Sequence, residues 1–247
     1  MKLSSCIKCG IKLNEDAKFC SSCGVPVSTK NGLRTEEMKF SDFTAVEVGW
    51  AFKVIITQSS SYGVIITADE TLFDDLQVTK TGDTLNVGLK SGLLTGLRPK
   101  SLLSSVRRVE ITMPNLYELD LSGAARGVVK GFSSSHPLVL ALSGASSLEM
   151  VDMSVGGINI NLSGASRLNA KGVAKDLLMT ASGASRLDLS DFPVHDANVD
   201  LIGASKATVN LEGVLDANVS GASHLKYVGE PKLGAIETSG ASNVNKK

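Results

Sequence analysis

The residues of this chain best spaced to do chemistry are its four cysteines, Cys6, Cys9, Cys20 and Cys23, all within the first 23 positions. They form two Cys-x-x-Cys pairs with ten residues between them, and a glycine, Gly10 or Gly24, follows the second cysteine of each pair. Glycine there lets the backbone turn so that amides approach the thiolate sulfurs, and two such turns complete a tetrahedral four-sulfur shell suited to Zn2+. With all four positions filled by sulfur no place remains for a reactive water, so the expected zinc is structural. A pair of disulfides or an iron cluster stands as the alternative. Paired motifs without further cysteines favour a reducing compartment. Residues 1–25, with Ile11, Leu13 and Phe19 as their apolar side chains of note, are too few to fold by burial alone, so the metal would supply most of their stability.

A second set of candidates follows from a repeat. Ser-Gly-Ala or a near-identical text returns with its glycine at Gly123, Gly144, Gly164, Gly183, Gly203, Gly221 and Gly240, at intervals of 18 to 21 residues. Three residues after each glycine come Arg126, Ser147, Arg167, Arg186, Lys206, His224 and Asn243. If the repeats stack in register, Arg126, Arg167, Arg186, Lys206 and His224 form a basic column with about 5 Å between layers, able to bind a polyanion such as an acidic glycan. A solvated face, with Glu149 and Asp188 beside the column, is the competing reading.

Catalytic constellations are thin. The acids Asp188, Asp191, Asp200 and Asp216 could in principle pair for glycoside cleavage, but they recur at different offsets from the glycines and lack a matching base. His136, His195 and His224 have no spacing that suggests a triad. The serines two residues after the glycines, among them Ser146, Ser166, Ser185, Ser205, Ser223 and Ser242, are explained by hydrogen bonding at a corner. Trp50 reads as a core side chain rather than a sugar platform. The expectation is therefore a protein that is not an enzyme, with a carbohydrate-active enzyme as one alternative. A nucleic-acid contact through the cysteine segment is another; Lys2, Lys8, Lys12 and Lys18 favour it, while Glu15, Asp16 and a net charge of zero disfavour it.

The elements that position these residues are strands. Leu138, Leu140 and Leu142 precede one glycine by six, four and two residues; Ile158, Ile160 and Leu162, then Ala197, Val199 and Leu201, do the same for others. Polar residues such as Asn159, Asn161, Asn198 and Asp200 alternate with them, the period of a strand with one wet face. After the glycine an alanine is expected to fit the inside of a tight corner, and Leu148 and Met150, Leu187 and Leu189, and Ala207 and Val209 resume the inward register. A recurrence near 20 residues with this pattern predicts an all-β, parallel β-solenoid, each coil burying its apolar face on its neighbours. Right-handed winding follows from strand twist, and an antiparallel sandwich is the structural rival.

Upstream, strand patterns without the marker glycine run over Phe43–Val48, Phe52–Thr57, Gly63–Thr67, Leu76–Thr79 and Thr84–Leu89, and are expected to form the first, less regular coils and a cap. The segment 91–105, with Leu93, Leu94, Leu97, Leu102 and Leu103, is expected to be a covering flap. Residues 26–38, with Pro26, Ser28, Thr29, Asn31, Gly32, Arg34, Glu36 and Glu37 and little apolar periodicity, read as a linker between a domain at 1–25 and one at 39–247.

Two resemblances add to this reading. Cys6-Ile7-Lys8-Cys9-Gly10 and Asp16-Ala17-Lys18-Phe19-Cys20-Ser21-Ser22-Cys23-Gly24 resemble the short zinc ribbon at the N-termini of many prokaryotic proteins. The Phe43–Ile56 segment, Tyr62 to Glu70, Gly82-Asp83-Thr84-Leu85, Ile111 to Leu116 and the Leu-Ser-Gly-Ala repeats resemble the bacterial head GIN domain of auto-transporter adhesins. That resemblance implies a β-helical fold and an adhesin-like role.

No apolar run reaches membrane-spanning length, and Met1-Lys2-Leu3-Ser4 leads straight into the cysteine motif without room for a secretory signal. A cytoplasmic location is expected, with surface display as the alternative. The chain stops at Lys247 soon after its last repeat, so an open strand edge and association of two chains through the solenoid ends are expected. The sum is a binding or scaffold protein whose partner is another protein or an acidic glycan.

Overall fold

The computed structural model describes residues 9–13, 19–24, 32–90 and 106–247; Cys6, the first part of the linker and the leucine-rich segment 91–105 lie outside them. The described chain is almost wholly strand. Its front half comprises β1 (Leu33–Met38), β2 (Ala45–Val48), β3 (Lys53–Gln58), β4 (Gly63–Asp69), a single helical turn at Glu70–Phe73, β5 (Leu76–Thr81), β6 (Thr84–Leu89), β7 (Arg107–Met113), β8 (Glu118–Leu121) and β9 (Arg126–Lys130). The repeats give β10 (Ser133–Leu142), β11 (Ser147–Leu162), β12 (Arg167–Ala174), β13 (Asp176–Ala181), β14 (Arg186–Val194), β15 (Asp196–Leu201), β16 (Lys206–Leu211), β17 (Val214–Val219), β18 (His224–Val228), β19 (Lys232–Thr238) and β20 (Asn243–Lys246).

These strands wind into a β-solenoid of about six turns with about 20 residues per turn. One ladder runs β8, β10, β11, β13, β15, β17, β19 and the other β9, β11, β12, β14, β16, β18, β20, all parallel. The inward residues of both ladders, Leu140, Ile160, Met179 and Val199 on one and Leu148, Leu168, Leu187 and Ala207 on the other, are buried in one continuous core. Phe43, Phe52, Phe132 and Phe192 are its largest sealed side chains.

The corner glycines stand in the left-handed region, from φ 68° at Gly123 to 85° at Gly203. The alanine that follows is not on the inside of the corner as expected, whereas the serine after it makes the corner hydrogen bonds expected of it. Each alanine is exposed and uses its amide, as in Ala145 N–H donating to the Gly123 carbonyl at 2.7 Å, whereas Ser146, Ser166, Ser185, Ser205 and Ser223 after it are buried. Burial suits serine because its hydroxyl turns back to a carbonyl three residues earlier: Ser166 to Ser163 at 2.7 Å, Ser185 to Ser182 at 2.8 Å, Ser205 to Ile202 at 3.0 Å.

The front of the solenoid does not follow chain order. β2 and β3 are flanked on one side by β8 and β9 and on the other by β6 and β7. Antiparallel strands close that end: β5 on β6, β4 on β7, and β1 on β4. Residues 33–38, assigned to a linker on sequence, are thus a strand of the sheet. β1 (Leu-Arg-Thr-Glu-Glu-Met) exposes most of its side chains, so it shows no apolar alternation and is held by backbone pairing.

Candidate functional site

The outward column expected from the repeats forms as an in-register row. Arg126 pairs with Ser147, Ser147 with Arg167, Arg167 with Arg186, Arg186 with Lys206, and Lys206 with His224. Each is placed by the same device: the corner turns at the glycine, a buried small residue follows two places later (Ala125 before Arg126, a serine before the others), and the next residue points out. Arg126, Arg167, Arg186 and Lys206 are exposed and His224 is half-buried.

The structure extends the row where the sequence showed nothing. Lys53 of β3 pairs with Arg126 on one side and with Arg108 of β7 on the other, so Arg108 and Lys53 continue the same column. Their signal was hidden because those layers lack the marker glycine and stack out of chain order.

Beside Arg167, Arg186, Lys206 and His224 runs a second outward row, Asn169, Asp188, Thr208 and Lys226, and the two rows line a groove of about 380 Å³. Asp188 is the acid of this groove. Hydrogen bonds from the Ser190 hydroxyl, at 2.5 Å, and from the Ser190 amide, together with the nearby Lys247 charge, outweigh partial burial and hold its carboxyl below the usual carboxylate range. It stays ionised and offsets one cation, leaving the groove positive.

Of the other acids expected from the sequence, Asp200 has a buried Oδ1 without a hydrogen-bond partner among the described residues, and the rest serve bonds of their own. Asp191 pairs with Lys171 at 3.2 Å, and Asp216 accepts the Ala235 amide at 2.7 Å. Asp196 accepts the Val214 amide at 2.7 Å and lies 3.1 Å from Nδ1 of His195. His136 stacks obliquely on Tyr117 at 5.0 Å between centroids. Trp50, expected in the core, is half-buried at a corner with only one side packed on the core.

At the N-terminus the Sγ atoms of Cys9, Cys20 and Cys23 all lie within 4.8 Å of one another, with Cys9 and Cys20 at 3.5 Å. That separation is far from a disulfide bond of about 2.05 Å and near the roughly 3.8 Å edge of a tetrahedron with Zn–S bonds of about 2.3 Å. Gly10 and Gly24 adopt φ 72° and 68°, and Gly24 N–H donates to the Cys20 carbonyl at 2.9 Å, which closes the turn of the second pair. The Cys20 thiol is lowered to about 6 because the backbone amides of Cys23 and then Ser22 stabilise its thiolate. The three sulfurs fit a zinc shell, with Cys6 available in sequence as the fourth.

The sequence profile of the family described as "Putative auto-transporter adhesin, head GIN domain" matches residues 42–231. The chain belongs to this family. Several solved structures share its course. A "putative adhesin" from Bacteroides fragilis superposes with a TM-score of 0.77 at 18% identity, covering 87% of this chain and 97% of that one. A "putative lipid binding protein" from Parabacteroides distasonis gives 0.67 at 19% identity, covering 88% and 98%. A "putative adhesin" from Parabacteroides merdae gives 0.62 at 18% identity, covering 87% and 96%. At such identities the likeness is one of fold. No curated protein matches the chain at a significant level. Among the described residues no helix is long and apolar enough to cross a membrane.

Proposed function

We propose that this head GIN protein is a non-enzymatic, adhesin-like binding protein that presents its basic column to an acidic glycan. The observation that carries the reading is the in-register row of Arg167, Arg186, Lys206 and His224 along one groove. Parallel coils repeat at about 4.8 Å, so the row offers a cation at nearly every layer to a chain whose charges also recur. Each exposed pair contributes only about 0.2–1 kcal/mol, so affinity would come from simultaneous contacts and fall steeply with salt. The names of the structural neighbours, adhesins and a lipid-binding protein, support binding over catalysis.

In the same reading Cys6, Cys9, Cys20 and Cys23 hold one structural Zn2+ in an accessory ribbon that docks a partner. The outer edges of β19 and β20, which have no strand partner among the described residues, serve self-association. Sedimentation over a wide concentration range checks the latter, and a strictly monomeric species removes it.

The deciding experiment is retention on immobilised heparin and polygalacturonate at stepped salt. The wild type should be retained and released early by salt, and Arg167→Glu/Arg186→Glu should pass through unretained with an unchanged circular dichroism spectrum. Equal retention of the double variant would exclude the column as the binding face. Anionic phosphatidylglycerol vesicles in parallel test a lipid surface in place of the glycan.

A further inference from the structure

The first corner of the solenoid breaks the glycine rule in a way that creates a second recess. Ala124 N–H donates to the Trp50 carbonyl as Ala145 N–H donates to that of Gly123, so Trp50 occupies the corner position that glycine holds in the later coils. Its φ is 64°, close to the 68° of Gly123. A left-handed backbone suits glycine and strains a bulky aromatic residue, and strain of this kind collects at functional sites.

The indole lies over β6 at a position without a side chain. Gly88 on β6 has no side chain, and a Cβ there would stand 3.4 Å from Trp50 Cδ1 and 3.5 Å from Nε1. Next to Gly88 on the outward face stand Gln77 on one strand and, two residues along, the row Thr79, Asn86 and Glu47. With Ser122 they enclose a recess of about 600 Å³, within the size range of small-ligand sites.

We propose that this recess is a saccharide-binding site, with Trp50 as the stacking platform and Gln77, Thr79 and Asn86 as the polar contacts, and that its ligand is a neutral glycan. The lining decides the chemistry. Amides and hydroxyls around one half-exposed indole match a ring that has an apolar C–H face and a rim of hydroxyls. Glu47 is the one charged residue of the lining and it is negative, which disfavours phosphates and uronates. The polar walls disfavour an acyl chain. The site shares no lining residue with the groove of Arg167, Arg186, Lys206 and His224 and is opposite to it in charge.

Trp50 is the sole tryptophan of the chain, so selectively excited tryptophan emission reports on this recess alone. The full-length protein would be titrated with cellohexaose, xylohexaose, mannohexaose, maltohexaose and chitohexaose. At least one is expected to shift and saturate the emission, and polygalacturonate and decanoate to leave it unchanged. By calorimetry Trp50→Gly should lose at least tenfold in affinity for that saccharide, and it should fold, because glycine is what the other corners carry. Asn86→Ala keeps the fluorophore and should weaken binding as well, while Arg167→Glu/Arg186→Glu should not. The proposal is overturned if none of the saccharides moves the emission, if decanoate or polygalacturonate moves it instead, or if Trp50→Gly binds as well as wild type.

Discussion

A Cβ on Gly144 would stand 2.5 Å from the carbonyl oxygen of Gly123, closer than a methyl carbon and an oxygen can approach. That oxygen is fixed because it accepts the Ala145 amide at 2.7 Å, and Gly144 itself sits at φ 72°. Backbone conformation and coil spacing therefore make the same demand. Gly144→Ala is expected to destabilise by roughly 2–4 kcal/mol, whereas Ala145→Ser at the exposed neighbour should stay within about 0.5 kcal/mol. Thermal unfolding followed by circular dichroism compares them directly.

Ser185 is fully buried and its hydroxyl donates to the Ser182 carbonyl at 2.8 Å. Ser185→Ala should cost about 1 kcal/mol, since it leaves the corner geometry but removes one satisfied bond. Ala125 already occupies the equivalent place after Gly123, so the variant should fold. The shift in urea midpoint at constant m-value measures the loss; no shift would mean that the buried hydroxyl contributes nothing.

Asp120 stands opposite Glu47 in the ladder, and burial, then the charges of Glu47 and Glu118, raise its carboxyl above the ordinary range. The folded protein thus holds this proton more tightly than the unfolded chain does. Ionised Asp120 opposes folding at neutral pH, and the opposition fades as pH falls through its raised folded value. Asp120→Asn is expected to raise Tm by roughly 1–3 °C at pH 7, with the gain shrinking towards pH 3. A gain that is constant with pH would assign the effect to something other than charge.

With its thiol near 6, metal-free Cys20 should alkylate with iodoacetamide at half its limiting rate near pH 6, well below the pH at which an ordinary thiol does so. Zinc should abolish that reactivity and bind at one equivalent per chain, and Cys20→Ser should fail to retain it. Zinc bound equally well by the variant would exclude a sulfur shell that includes Cys20.

The regular coils were legible because two independent signals, the spaced glycines and the alternation of residues such as Ile158, Asn159, Ile160 and Asn161, gave one register. That register also placed Arg126, Arg167, Arg186, Lys206 and His224 in one column. The front was legible strand by strand but not in its order. Nothing local in Lys53 or Arg108 reveals that their strands become neighbours, since pairing across tens of residues is decided by how the chain returns to its own edge. β1 was missed because pairing through backbone alone leaves no apolar mark, and Trp50 was misplaced because a corner position reads as strand when its glycine is absent.

The sandwiching of β2 and β3 between β6–β7 and β8–β9 bears on how the molecule comes into being. A chain emerging from the ribosome cannot complete this layer until both of its later neighbours have been made, so the first 130 residues contain a block that must close as a unit. Once closed, it is a seed with one growing edge, onto which each later segment of about 20 residues adds by accretion. Amide exchange should then be slowest in Val54, Ile111 and Val129 at the heart of the seed and progressively faster towards β19 and β20.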